Sequence, residues 1–115
     1  NKVNITILQG DAHDVIYEID DCAHRIIMNY PEGSLEFLGD ALSKLCKEGF
    51  IHIYLFARGK NAEKKAREHV MNEIKRLNAS ITIRSADSHI VEEVAPYKYL
   101  VCIDVNVKKS FLSDS

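Results

Sequence analysis

The chain has 115 residues, a formal net charge of -2, 46% apolar residues and 28% charged ones. That length suits one domain with a real core, and the balance is that of an ordinary globular protein. No apolar run approaches the roughly 20 residues a membrane span needs, and a net negative charge argues against this chain alone gripping a long nucleic acid by its phosphates.

No basic segment leads into an apolar one, so no secretory signal is read. The first residue is Asn1 rather than Met, so an N-terminal part is expected to be missing. The three cysteines, Cys22, Cys46 and Cys102, are odd in number and lack CxxC spacing. They read as reduced, mostly buried thiols of a cytoplasmic protein.

In chain order, Val3–Leu8 alternates and is rich in β-branched residues, which predicts a strand broken at Gly10-Asp11. Asp11 is placed to cap a short helix over 12–19, with Val15, Ile16 and Ile19 on one face. Arg25–Met28 is a short apolar run with two isoleucines, which is how a buried strand of a parallel sheet reads. It stops at Asn29-Tyr30-Pro31. Ligands of open α/β sheets bind outside the carboxyl ends of strands, so an amide side chain there is a candidate for holding a planar heterocycle.

Ser34 reads as an N-cap, and Leu35, Leu38, Ala41, Leu42 and Leu45 recur at helical spacing up to a stop at Gly49. Phe50–Ala57 alternates as a strand. Asn61 then caps a long helix with Ala62, Ala66, Val70, Ile74 and Leu77 inward. A strand is predicted over Ile81–Arg84, an irregular stretch over Ser85–Tyr97, and a terminal strand over Tyr99–Val107. Residues 1–109 form the domain and 110–115 a flexible tail.

The order β-α-β-α-β-α-β-β predicts an α/β fold. Its sheet is mostly parallel, with right-handed crossovers, helices on both faces and an antiparallel C-terminal hairpin. That combination is a feature of the Rossmann-like class I S-adenosylmethionine-dependent methyltransferase fold. Gly10-Asp11-Ala12 resembles the Gly-Asp-Ala after that fold's third strand, and Asn29-Tyr30-Pro31 resembles an Asn-Leu-Pro motif. The surrounding segments follow in the same order: "RIIMNYPEGSLEFLGDAL", Gly49 with "IHIYLF", then Val94-Ala95-Pro96 before "YLVCIDV". Across nearly all of residues 1–109 the chain is similar to the archaeal and eukaryotic tRNA (guanine-N1)-methyltransferases, which methylate the guanine beside the anticodon.

The resemblance implies a role for each matching position. Asp11 and the backbone of Ala12 would contact the adenine of S-adenosylmethionine. Asn29 would sit where the methyl sulfonium and target base meet, and so serve both cofactor and catalysis. Pro31, fixed in φ and lacking an N–H, would keep the Asn-Tyr backbone extended with its carbonyls toward the ligand. Tyr30, in place of the usual Leu, would stack on the base or, with the larger share, simply pack. Tyr30 and Pro96 are the substrate-side candidates. Related wyosine-pathway aminocarboxypropyl transferases generally lack the Asn-x-Pro form, so Asn29 and Pro31 favour methyl transfer.

The family's glycine-rich loop and the acidic residue after its second strand are absent. The chain thus resembles the C-terminal part of the methyltransferase domain, is expected to be inactive alone, and would meet tRNA through domains it lacks. In the family's sheet, two strands lie between those ending at Leu8 and Met28; without them, the two either pair anew or leave a gap that another chain fills. Self-association through that exposed edge is expected. The alternative from another class is a catalytically silent α/β module acting by association.

No metal ligand set is expected. His13, His24, His52, His69 and His89 show no HxxxH or Cys/His spacing. The basic residues Lys60, Lys64, Lys65 and Arg67 alternate with Glu63 and Glu68, which reads as a solvated helix face before a tRNA contact.

Overall fold

The computed structural model describes residues 5–8 by their backbone and residues 22–110 in full. Five strands form one sheet in the order β1-β2-β3-β5-β4: β1 (Ile5–Leu8), β2 (Ala23–Met28), β3 (Leu45–Arg58), β4 (Ile81–Ala95) and β5 (Lys98–Lys109). β1, β2 and β3 run parallel, whereas β5 is antiparallel to both β3 and β4. A 3-10 turn over Ser34–Phe37 leads into α1 (Leu38–Lys44), and α2 (Ala62–Leu77) joins β3 to β4. The helix predicted over 12–19 and the tail 111–115 lie outside the described residues.

Both described helices cover the same sheet face. Leu38, Ala41 and Leu42 of α1 and Ala66, Val70 and Ile74 of α2 share one core with Ile26, Ile51, Ile53, Val101, Ile103, Val105 and Val107. Strand alternation turns the intervening residues to the other face. There Arg25 lies over the Phe50 ring at 4.7 Å, Phe50 stacks on His52, and Tyr54, Cys102 and Asp104 follow. Leu77, placed inward by its spacing, is 39% exposed.

The first helix ends earlier than the leucine spacing predicts. It stops at Lys44, Leu45 is already extended, and Leu45–Gly49 belongs to β3. Gly49 is needed for a close approach and not as a helix stop: a Cβ on it would lie 2.6 Å from the His24 carbonyl oxygen. The register explains the crowding. Ala23 pairs with Leu45 and Arg25 with Phe50, so β3 takes five steps to two in β2, and the excess bulges. Cys22, just before Ala23, and Cys46, within the bulged segment, form a disulfide, which corrects the reading of all three cysteines as reduced; Cys102 is free and buried.

Asn61 does precede α2, but as a left-handed residue with φ of 59° and no side-chain cap bond. Asn tolerates that conformation better than most residues. The irregular stretch 85–97 is a strand with register shifts and not a break in the sheet: β4 runs to Ala95, and a tight turn at Pro96-Tyr97 returns the chain into β5.

Candidate functional site

The carboxyl ends of β2 and β3 lie side by side, with Met28 paired to Ile53. Past Met28 the chain turns at once. The Gly33 N–H donates to the Tyr30 carbonyl at 3.0 Å, and the Ser34 hydroxyl donates to the same oxygen at 2.7 Å. Ser34 is 1% exposed, and its Oγ also lies 3.3 Å from the Met28 carbonyl and 3.2 Å from that of Tyr54 on β3. One hydroxyl proton thus serves three convergent carbonyls and ties the turn to both strands. The sequence reads Ser34 as a helix cap; no local signal shows its bond to Tyr54, twenty residues on.

This turn places the motif residues differently from one another. Asn29 is exposed at the strand end. Tyr30 packs its ring against Phe37, with centroids 6.1 Å apart, and against Gly33, where a Cβ would come within 2.7 Å of the ring. Its carbonyl, expected to face a ligand, is instead consumed by Gly33 and Ser34. Pro31 follows and forms one wall of a cleft of about 490 Å³.

The cleft lies between the turn, the end of β3 and the start of α2. Leu35, Leu55 and Ala66 give it apolar walls, and Glu32, Glu36, Arg58, Lys65 and His69 rim it. Its volume falls within the range of small-ligand sites. Of the predicted basic face, only Lys65 lines it. Pro96 sits at the same end of the sheet: Lys98 pairs with Arg58, and the Gly59 N–H donates to the Tyr97 carbonyl at 2.9 Å. Pro96 is exposed there, Tyr97 is 73% exposed, and Tyr99 packs against the core. Asp11 and Ala12 lie outside the described residues.

A parallel sheet with an antiparallel terminal hairpin and an Asn-x-Pro turn at a strand's carboxyl end matches a known domain. The TRM5/TYW2 methyltransferase domain aligns with residues 1–83. The chain belongs to that family. It is 35% identical over 98 residues to the tRNA 4-demethylwyosine(37)-methyltransferase Taw21 of Saccharolobus solfataricus, covering 85% of this chain and 34% of that protein. It is 30% identical over 108 residues to the tRNA (guanine(37)-N(1))-methyltransferase Trm5b of Pyrococcus abyssi, covering 93% and 31%. The chain therefore spans about a third of the length of these relatives.

The crystal structure of P. abyssi Trm5b superposes with a TM-score of 0.65 at 28% identity, over 83% of this chain and 28% of that one. M. jannaschii TYW2, solved in complex with AdoMet, gives 0.70 at 17% identity over 95% and 59%, a likeness of fold alone. The fold is thus that of a class I methyltransferase of the TRM5/TYW2 type.

Proposed function

We propose that the chain is part of an S-adenosylmethionine-dependent, cytoplasmic tRNA methyltransferase that methylates N1 of the guanine 3′ of the anticodon. The observation that carries this reading is the Asn29-Tyr30-Pro31 turn, fixed by Ser34 at the carboxyl end of β2 beside a cleft of ligand size. The exposed Asn29 amide offers both donor and acceptor to a purine edge. Asp11 and Ala12, three and four residues beyond the end of β1, would hold the cofactor's adenine. The cofactor supplies the electrophilic methyl group; the chain's residues supply position. Asn29 orients the guanine, Pro31 stiffens the turn, and Tyr30 and Pro96 border the substrate side. The target base has to leave its stack to reach such an edge. tRNA would be held by domains beyond this chain, and the chain alone is expected to be inactive.

The identity to Taw21 favours one second reading: methyl transfer to a 4-demethylwyosine base at the same tRNA position. One assay separates the two. The longer protein containing this chain, S-adenosylmethionine and two tRNAs, one with guanine and one with 4-demethylwyosine at position 37, are incubated and the nucleosides analysed. The first reading requires 1-methylguanosine from the guanine tRNA and its loss in Asn29→Ala. Methylation of only the 4-demethylwyosine tRNA would overturn it in favour of the second.

A further inference from the structure

On the sheet face opposite α2, away from the cleft, three potential metal ligands from two strands converge. The antiparallel register sets His89 of β4 directly across from Cys102 of β5, and Asp104 is two residues further along β5 on the same face. A ring nitrogen of His89, Cys102 Sγ and a carboxylate oxygen of Asp104 all lie within 4.8 Å of one another. Cys102 Sγ is 3.4 Å from Asp104 Oδ1, and His89 Nδ1 is 3.9 Å from Asp104 Oδ2. Tetrahedral zinc, with bonds of about 2.0–2.3 Å, sets its ligand atoms roughly 3.4–3.6 Å apart. Closing the set from its widest separation of 4.8 Å takes a shift of about 1 Å, which a side-chain rotation of His89, 60% exposed, supplies.

The surroundings are those of a supported ligand set. Arg25 Nη1 lies 2.6 Å from His52 Nε2, and a guanidinium can only donate, so Nε2 is the acceptor. The proton of His52 is then on Nδ1, which donates to Asp104 Oδ1 at 2.5 Å. An imidazole N–H fixing a ligating carboxylate is a common outer-shell device. Asp87, directly across from Asp104, adds negative charge to the same face.

We propose that His89, Cys102 and Asp104 form a binding site for a zinc-class divalent transition metal, with water completing the tetrahedron. One thiolate, one imidazole and one carboxylate select such a metal over magnesium or calcium. On binding, the Cys102 S–H bond breaks, sulfur donates its pair to the metal, and the proton leaves to solvent. The ligands sit thirteen and fifteen residues apart across a hairpin whose tip is at Pro96-Tyr97, so no short-range spacing in the sequence announces them.

The test uses the chain as it stands, with the Cys22–Cys46 disulfide intact and one free thiol by titration. Co²⁺ is added and the near-ultraviolet thiolate-to-cobalt charge-transfer band followed, then displaced with Zn²⁺. A band saturating at one equivalent is expected. It should be absent in Cys102→Ser, and binding should be weaker by about tenfold or more in His89→Ala. His89 is exposed, so that variant keeps the test sound even where the buried Cys102→Ser fails to fold. No band, a band that survives Cys102→Ser, or unchanged affinity in His89→Ala would overturn the site.

Discussion

Replacing Ser34 by alanine removes one oxygen and one proton from a buried junction. The hydroxyl is the shared donor for the carbonyls of Tyr30, Met28 and Tyr54 at 2.7, 3.3 and 3.2 Å. Tyr30 keeps the Gly33 N–H at 3.0 Å, so its oxygen is not orphaned. The loss is then one net hydrogen bond, about 1 kcal/mol, plus part of the cost of leaving strand-end carbonyls short of a donor, for about 2 kcal/mol in all. Ser34→Cys, near in size but a weak donor, should fall between the two. Urea unfolding followed by circular dichroism measures this as a shift of roughly 1 M in midpoint at unchanged slope. Amide exchange adds a local readout: the Gly33 amide should lose protection more than the Ile53 amide does. A destabilisation below about 0.5 kcal/mol, or equal loss of protection at both amides, would refute the hydroxyl's role as the tie between the turn and the sheet.

Two glycines should respond unequally to alanine. Gly49→Ala drives a Cβ to 2.6 Å from the His24 carbonyl oxygen and should cost about 3 kcal/mol, whereas Gly59→Ala meets nothing nearer than 3.8 Å and should cost about 1 kcal/mol for its φ of +85°; equal midpoints in urea would contradict this. Reducing the Cys22–Cys46 bond, which spans a sequence separation of 24, should lower stability by about 3 kcal/mol, read as the denaturation midpoint with and without reductant; no shift would show that the bond constrains nothing in the unfolded chain. Burial holds the Lys109 ammonium below its usual 10.5, so the folded state carries an unfavourable charge that it sheds before the unfolded state does. Stability of the wild type relative to Lys109→Met should therefore rise as pH climbs from neutral toward 10.5, and a flat difference across that interval would refute the assignment.

What the sequence revealed follows from how local each signal is. β2 shows as a short apolar run of a parallel-sheet strand, and α2 and β5 carry 3.6- and two-residue periodicities because each packs one face against a single core; the ends of all three fall within a few residues of those predicted. Leu45 deceived for a physical reason: it continues the leucine spacing of α1, yet it is buried as the first residue of β3, so burial alone could not mark the helix end. β4 was illegible because it is an edge strand with register shifts between Ile83 and Ser85, Ile90 and Glu92, and Glu93 and Ala95. Each shift resets the alternation, and its glutamates suit an edge that must not pair further. The site divides in the same way. Asn29 and Pro31 are contiguous and legible by their motif, while Ser34–Tyr54, Arg25–His52–Asp104 and His89–Cys102 are contacts across strands, which register creates and spacing cannot show.

The pairing of β1 with β2 bears directly on cofactor binding. Leu8 is opposite Met28, so the ends of β1 and β2 share one rung, roughly 5 Å apart. The resemblance to the tRNA (guanine-N1)-methyltransferases implies two further strands between them, a separation of about 14 Å at the same strand spacing. A nucleoside with a methionyl arm that contacts Asp11 at one end and Asn29 at the other fits the wider arrangement and not the closed one. Calorimetric titration of S-adenosylmethionine and S-adenosylhomocysteine into this chain alone should accordingly give no heat of binding at millimolar ligand, while the longer protein containing it binds and loses affinity in Asp11→Ala. Micromolar binding by the chain alone, abolished by Asp11→Ala, would refute the closed-edge reasoning. It would mean that the adenine contact is complete without the intervening strands, and that those strands add affinity to a half-site already formed.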